Sequence, residues 1–143
     1  MTRSSAELPD LLVDTSVAIP LLLKDHDAYN AVVEQLGSRT LGLAGHAEFE
    51  TYAVLTRMPP PARRSPTSAA RLIASNFPRS RHLSSEAAAG LAASLGSLGL
   101  AGGAVFDALV AAAAREHELT LITRDRRALP TYRAIEARIE FID

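Results

Sequence analysis

The sequence predicts an α/β fold in which a central, mostly parallel sheet carries helices on both faces. Two observations predict it. Short apolar runs of strand length alternate with longer stretches of helical apolar spacing along the whole chain, the order that builds parallel sheets. The 143 residues, 48% hydrophobic and 22% charged, suffice for one domain, 1–143, that removes about two thirds of its unfolded surface from water. No internal repeat and no shift in composition marks a second domain.

The elements follow in order. "LLVDTS" is a strand ending at Asp14, and "SVAIPLLL" is a short helix with Ser16 as its N-cap and Pro20 as a bend or restart. Asp25 to Leu36 places Tyr29, Val32, Val33 and Leu36 at helical spacing before Gly37 ends it. "TLGLA" is a second strand, and a helix from Ala47 to Arg57 is stopped by Pro59, Pro60 and Pro61. Ser65-Pro66 opens a helix that closes near Pro78, "RHLS" reads as a short strand, and an alanine-rich helix runs from about Ser85 to Leu95. The glycine-rich "GSLGLAGG" leads into a helix over Ala104 to His117. "LTLIT" is the most strand-like run, a short helix follows near Arg126 to Arg133, and "RIEFID" alternates as a last strand.

Composition excludes several function classes. The chain has no cysteine, which removes disulfides, thiolate metal sites and cysteine nucleophiles. The first ten residues are polar with no apolar stretch behind a basic start, and no run approaches the length of a membrane span, so the reading is a cytoplasmic protein. His26, His46, His82 and His117 lack paired metal spacing, no glycine run precedes a lysine, and no serine sits in a nucleophile elbow. The net charge of -1 conceals a basic block: Arg57, Arg63, Arg64, Arg71, Arg79 and Arg81 fall in a stretch, 51–85, without any acid. A second cluster holds Arg124, Arg126, Arg127, Arg133 and Arg138. Arginine forks suit phosphate, so these clusters either track a nucleic-acid backbone or form ordinary solvated helix faces.

The acids are placed for chemistry. Asp14 and Asp125 lie at or just past the carboxyl ends of two strands, where parallel sheets bind ligands. Asp107 lies one turn into a helix among Val105, Phe106, Leu109 and Val110, where it either caps the helix or faces a site. Glu48 and Glu50, two positions apart, point about 200° from each other round their helix. Carboxylates brought together would repel and take up protons unless a divalent cation lay among them, and oxygen ligands suit Mg²⁺ or Mn²⁺.

The stretches "LLVDTS", "HAEFETYAVLTRMP", "FDALVAAAAREH" and "LTLITRDRRAL" resemble the acidic motifs of PIN-domain proteins, specifically the VapC ribonuclease toxins of prokaryotic toxin-antitoxin modules, over residues 11–129. The resemblance implies a PIN-like α/β/α sandwich and a Mg²⁺- or Mn²⁺-dependent endoribonuclease. Carried over position by position, it implies that Asp14, Glu50, Asp107 and Asp125 hold the metal and carry catalysis, with Glu48 turned away. Thr15, Ser16 and Thr123 stand beside these acids, either supporting the site or serving as N-cap and strand residues. Arg63, Arg64, Arg124 and Arg126 are candidate RNA-backbone contacts. The implied partners are RNA, a VapB-like antitoxin with an apolar segment laid around "VAIPLLL" and "ETYAVLTR", and a second copy in a homodimer, the antitoxin adding a hetero-oligomer.

Two rivals are distinguishable. A non-catalytic PIN-like module that only binds RNA or protein would not need acids at all of the motif positions. A phosphatase of the haloacid-dehalogenase type needs an aspartate where Ser16 stands, and a phosphoacceptor receiver domain needs a late lysine, whereas Lys24 is the only lysine.

Overall fold

The computed structural model describes residues 8–143; most of the polar N-terminal stretch falls in 1–7, outside the described residues. A four-stranded, all-parallel sheet has the order β2-β1-β3-β4, with β1 at Leu11–Val13, β2 at Leu41–Leu43, β3 at Leu121–Thr123 and β4 at Ile139–Phe141. The helices are α1 (Thr15–Leu22), α2 (Tyr29–Leu36), α3 (His46–Arg57), α4 (Pro66–Asn76), α5 (Ser85–Ser94), α6 (Ala104–Glu116) and α7 (Leu129–Ala134). This agrees with the α/β expectation. β1, β2 and β3 are buried at every position, which requires cover on both faces of the sheet and explains their unbroken apolar runs. β4 is the half-exposed edge and alternates.

Four local expectations are corrected. The N-cap of α1 is Asp14 rather than Ser16, because the Asp14 carboxylate accepts the Ser16 N–H. Pro20 does not restart α1, which continues through it; the proline has no N–H to give to the carbonyl of Ser16, and Arg124 Nη1 approaches that oxygen instead, at 3.5 Å. Residues 25–28 form turns, so α2 starts at Tyr29. "RHLS" is no strand. Residues 79–81 run beside β2, Arg79 and Arg81 giving their N–H groups to Leu41 and Leu43, with a single bridge between Ala44 and Arg81. Gly42 permits this approach, since a Cβ there would lie 2.1 Å from the Arg79 carbonyl oxygen.

The same segment is tied down by charge. Asp10 Oδ2 accepts from Arg79 Nε at 2.9 Å and from Arg81 Nη2 at 3.0 Å. The Arg79 hydrogen bond, helped by that of Arg81 and opposed by burial, holds the Asp10 carboxyl below its ordinary value of 3.8. A depressed carboxyl stabilises the fold above its unfolded pKa, and that contribution disappears as pH falls through the folded value. Asp10→Asn is therefore expected to cost about 1 kcal/mol in urea unfolding near pH 6. The difference from the parent should narrow as pH falls below the ordinary value of 3.8 and close once the depressed folded carboxyl has taken up its proton; a difference that persists in stronger acid would assign the cost to packing.

Candidate functional site

β1 departs to β2 on one side while β3 lies on its other side, so the carboxyl ends of β1 and β3 flank the point where the strand order reverses. Asp14 leaves β1 there and Asp125 follows β3. Asp14 is 4% exposed, and four donors meet its carboxylate. Oδ1 accepts from the Ser16 N–H at 3.1 Å and the Ser16 hydroxyl at 2.6 Å. Oδ2 accepts from the Thr123 hydroxyl and from the Tyr132 hydroxyl, the latter at 2.8 Å. The hydroxyls are themselves held: Ser16 Oγ accepts from the Arg124 N–H at 2.8 Å, and Thr123 Oγ1 from the Asp125 N–H at 3.0 Å. Burial raises the Asp14 carboxyl, the Ser16, Thr123 and Tyr132 hydrogen bonds work against that rise, and Asp125 adds to it. Burial and then the Asp14 charge push the Tyr132 phenol far above its ordinary range, so it remains a donor.

Asp107 is not a helix cap. Gly103 occupies the N-cap of α6 without a side-chain bond, and the Asp107 carboxylate, 16% exposed, accepts from Arg127 Nη1 at 3.1 Å. The same guanidinium gives Nη2 to Asp125 Oδ2 at 3.0 Å. Asp125 also caps the 3₁₀ turn over Arg126–Ala128, its Oδ1 accepting the Arg127 N–H at 3.0 Å.

Glu50 and Glu48 diverge as helical spacing requires. Glu48 Oε2 meets His82 Nε2 at 2.6 Å. Glu50 is exposed and makes no hydrogen bond or ion pair among the described residues, yet loss of water around it raises its carboxyl, opposed by His46 and furthered by the charges of Asp107 and Asp14. It therefore shares an electric field with those two acids. α3 packs closely against α6. Gly45, at φ 51°, lets the start of α3 come within 3.0 Å of Ala113 as measured from a Cβ built on it, and His46 stacks on Phe106 with centroids 4.9 Å apart.

The supporting residues separate. Ser16 and Thr123 grip Asp14, whereas Thr15 faces α3, its hydroxyl 3.2 Å from that of buried Thr51. Arg124 lies over Ser16, half-buried. Arg126 packs over the Phe141 ring at 4.3 Å and pairs with Asp143 at 3.3 Å. Arg63 and Arg64 donate to the Met58 and Ala62 carbonyls in the α3–α4 loop and meet none of the acids. The apolar surplus of "VAIPLLL" goes largely to the core, with Val17, Ala18, Leu22 and Leu23 buried. The open apolar groove lies between α3 and α4 instead, about 760 Å³ lined by Phe49, Tyr52, Ile73 and Phe77 among others, with Glu48 and His82 at its edge.

Residues 11–134 match the PIN domain family. The chain is 49% identical over 131 residues to ribonuclease VapC27 of Mycobacterium tuberculosis (strain ATCC 25618 / H37Rv), covering 92% of this chain and 96% of the relative. The chain belongs to the PIN-domain family, among the VapC ribonucleases. Ribonuclease VapC40 of Mycobacterium tuberculosis (strain CDC 1551 / Oshkosh) is 37% identical over 131 residues, covering 90% of this chain and 96% of that protein. The fold matches that of VapBC2 from Rickettsia felis bound to a DNA fragment from its promoter, with a TM-score of 0.66 at 18% identity, covering 94% of this chain and 100% of that one.

PIN-domain ribonucleases are generally metal-dependent, and carboxylate and hydroxyl oxygens of the kind gathered around Asp14 suit a hard divalent cation. The guanidinium between Asp107 and Asp125 marks their shared side as a place that accepts positive charge. Among the described residues no three acids or histidines stand close enough to form a ready-made cation cage.

Tyr132, Thr51 and Arg127 are the residues that sequence reasoning missed. For Tyr132 a signal existed: a tyrosine in a short helix beside the last strand is buried, and a buried phenol needs a partner. Tyr132→Phe preserves packing and removes one of the Asp14 donors, with an expected loss of about 1 to 3 kcal/mol in urea unfolding of the metal-free protein and an unchanged far-ultraviolet circular dichroism spectrum. Unaltered stability would mean that Asp14 does not depend on this donor.

Proposed function

We propose that this chain is a Mg²⁺- or Mn²⁺-dependent endoribonuclease, the toxin of a toxin-antitoxin module, in which Asp14, Glu50, Asp107 and Asp125 hold the cation. The observation that carries this reading is the grouping of acids at the strand-order reversal: Asp14 and Asp125 at the ends of β1 and β3, Asp107 joined to Asp125 through one guanidinium, and Glu50 on α3, which packs against the helix that bears Asp107. The 49% identity to a ribonuclease over nearly the whole chain supports it.

The residues divide the work. When bound, the cation supplies Lewis-acid stabilisation of the charge that builds on the phosphate and acidifies water. Asp14 keeps one orientation because its donors come from β1's own exit turn, β3 and α7. Glu50, exposed and making no hydrogen bond or ion pair among the described residues, is free to turn towards the cation. Arg63 and Arg64, in the acid-free stretch that includes α4, supply positive charge along which an RNA backbone lies.

The partner reading follows from the same chemistry. An acidic pocket receives a basic side chain, so the antitoxin inserts an arginine or lysine among the carboxylates while an apolar segment fills the α3–α4 groove, where Phe49 is 66% exposed. The Rickettsia felis neighbour is itself a VapBC complex. A homodimer would present two such grooves. Among the described residues no helix is long and apolar enough to cross a membrane, which accords with action on RNA in the cytoplasm.

Each of Asp14→Asn, Glu50→Gln, Asp107→Asn and Asp125→Asn is expected to lower Mg²⁺- or Mn²⁺-dependent cleavage of RNA by about 100-fold or more. Glu48→Gln, altered only at the His82 pair, should stay within a few-fold of the parent. Cleavage that survives a chelator, or a Glu48→Gln loss exceeding that of Glu50→Gln, would sink the reading.

A further inference from the structure

Arg127 stands where its chemistry requires explanation. One planar guanidinium bridges two acids from different elements, Nη1 on Asp107 Oδ2 at 3.1 Å and Nη2 on Asp125 Oδ2 at 3.0 Å, with Nη2 also 3.5 Å from Asp107 Oδ1. Its side chain is 68% exposed, and the bonds to these two carboxylates are the only ones it makes among the described residues. Its backbone is anchored separately, through the N–H held by Asp125 Oδ1 at 3.0 Å, so Asp125 keeps that partner if the side chain leaves.

We propose that Arg127 is the built-in counter-ion of the metal-free site: its guanidinium holds Asp107 and Asp125 side by side, and a divalent cation must displace it to reach them. The proposal rests on the reading of these acids as metal ligands. Asp107 Oδ2 and Asp125 Oδ2, oxygens that would face the cation, face the guanidinium. A bound Arg127 shields the repulsion between the two aspartates while the site is empty. It also lowers the apparent metal affinity by the fraction of molecules in which it is closed. Arg127 is thus a positioning residue that acts through Asp107 and Asp125.

The test is Mn²⁺ binding to the full chain, measured by isothermal titration calorimetry and by the paramagnetic resonance signal of free Mn²⁺, for the parent, Arg127→Gln, Arg127→Lys and Asp107→Asn. Arg127→Gln is expected to bind Mn²⁺ about fivefold more tightly, as removal of an exposed ion pair of modest strength implies. Arg127→Lys keeps the charge but not the planar fork, and should recover part of that gain. Tightening in Arg127→Gln with Arg127→Lys equal to the parent would assign the effect to net charge and overturn the bridge. Unchanged or weaker binding in Arg127→Gln would overturn it as well, with the metal site intact. A parent that binds no Mn²⁺, or Asp107→Asn that binds as well as the parent, removes the underlying site reading and this proposal with it.

Discussion

The buried carboxylate of Asp14 is the constraint around which the rest is arranged. An almost fully buried carboxylate is tolerated only if its oxygens are satisfied, and here the donors come from α1, β3 and α7. The N–H groups of Arg124 and Asp125 reach the same carboxylate at one remove, through the hydroxyls of Ser16 and Thr123. One side chain therefore caps α1, joins the ends of β1 and β3, and receives the last helix. The chain leaving β3 is held against the chain leaving β1, which sets Asp125 beside Asp14.

Each acid is compensated differently. Asp14 is held by neutral donors, the side chains of Asp107 and Asp125 share a single exposed guanidinium, and Glu50 has no hydrogen-bonded partner among the described residues. Neutral donors on stiff elements keep Asp14 still, whereas a pair with an arginine that is mostly in solvent is worth little and breaks readily. Rigidity is thus concentrated on the sheet and adaptability on the rim. Thr15 and Thr51 extend the rigid part by tying α1 to the helix that bears Glu50.

Much of the fold was legible because its signals are local. Unbroken apolar runs gave the inner strands, prolines stopped α3, and the Ser65-Pro66 pair opened α4. The acids could be placed at strand ends and in the first turn of α6 from the pattern alone. What holds them was not legible. Tyr132 lies 118 residues from Asp14 and Thr123 lies 109 away, and no local pattern records such a contact. Arg127 read as one arginine in a run, and only folding puts Asp107 within its reach. The corrections have the same origin: the Ser16 N–H belongs to Asp14, and "RHLS" contributes only Arg81 to a single bridge, because residues 79–81 run beside β2 without pairing continuously.

Asp14, Glu50, Asp107 and Asp125 are proposed to bind divalent metal together at the reversal of strand order. Anomalous diffraction from crystals of the protein grown with Mn²⁺ tests this directly. The expected result is a manganese peak bounded by the carboxylates of Asp14, Glu50, Asp107 and Asp125, with the Arg127 guanidinium turned out of its bridge. A map without a peak there, or with its peak at Glu48 and His82, would contradict it.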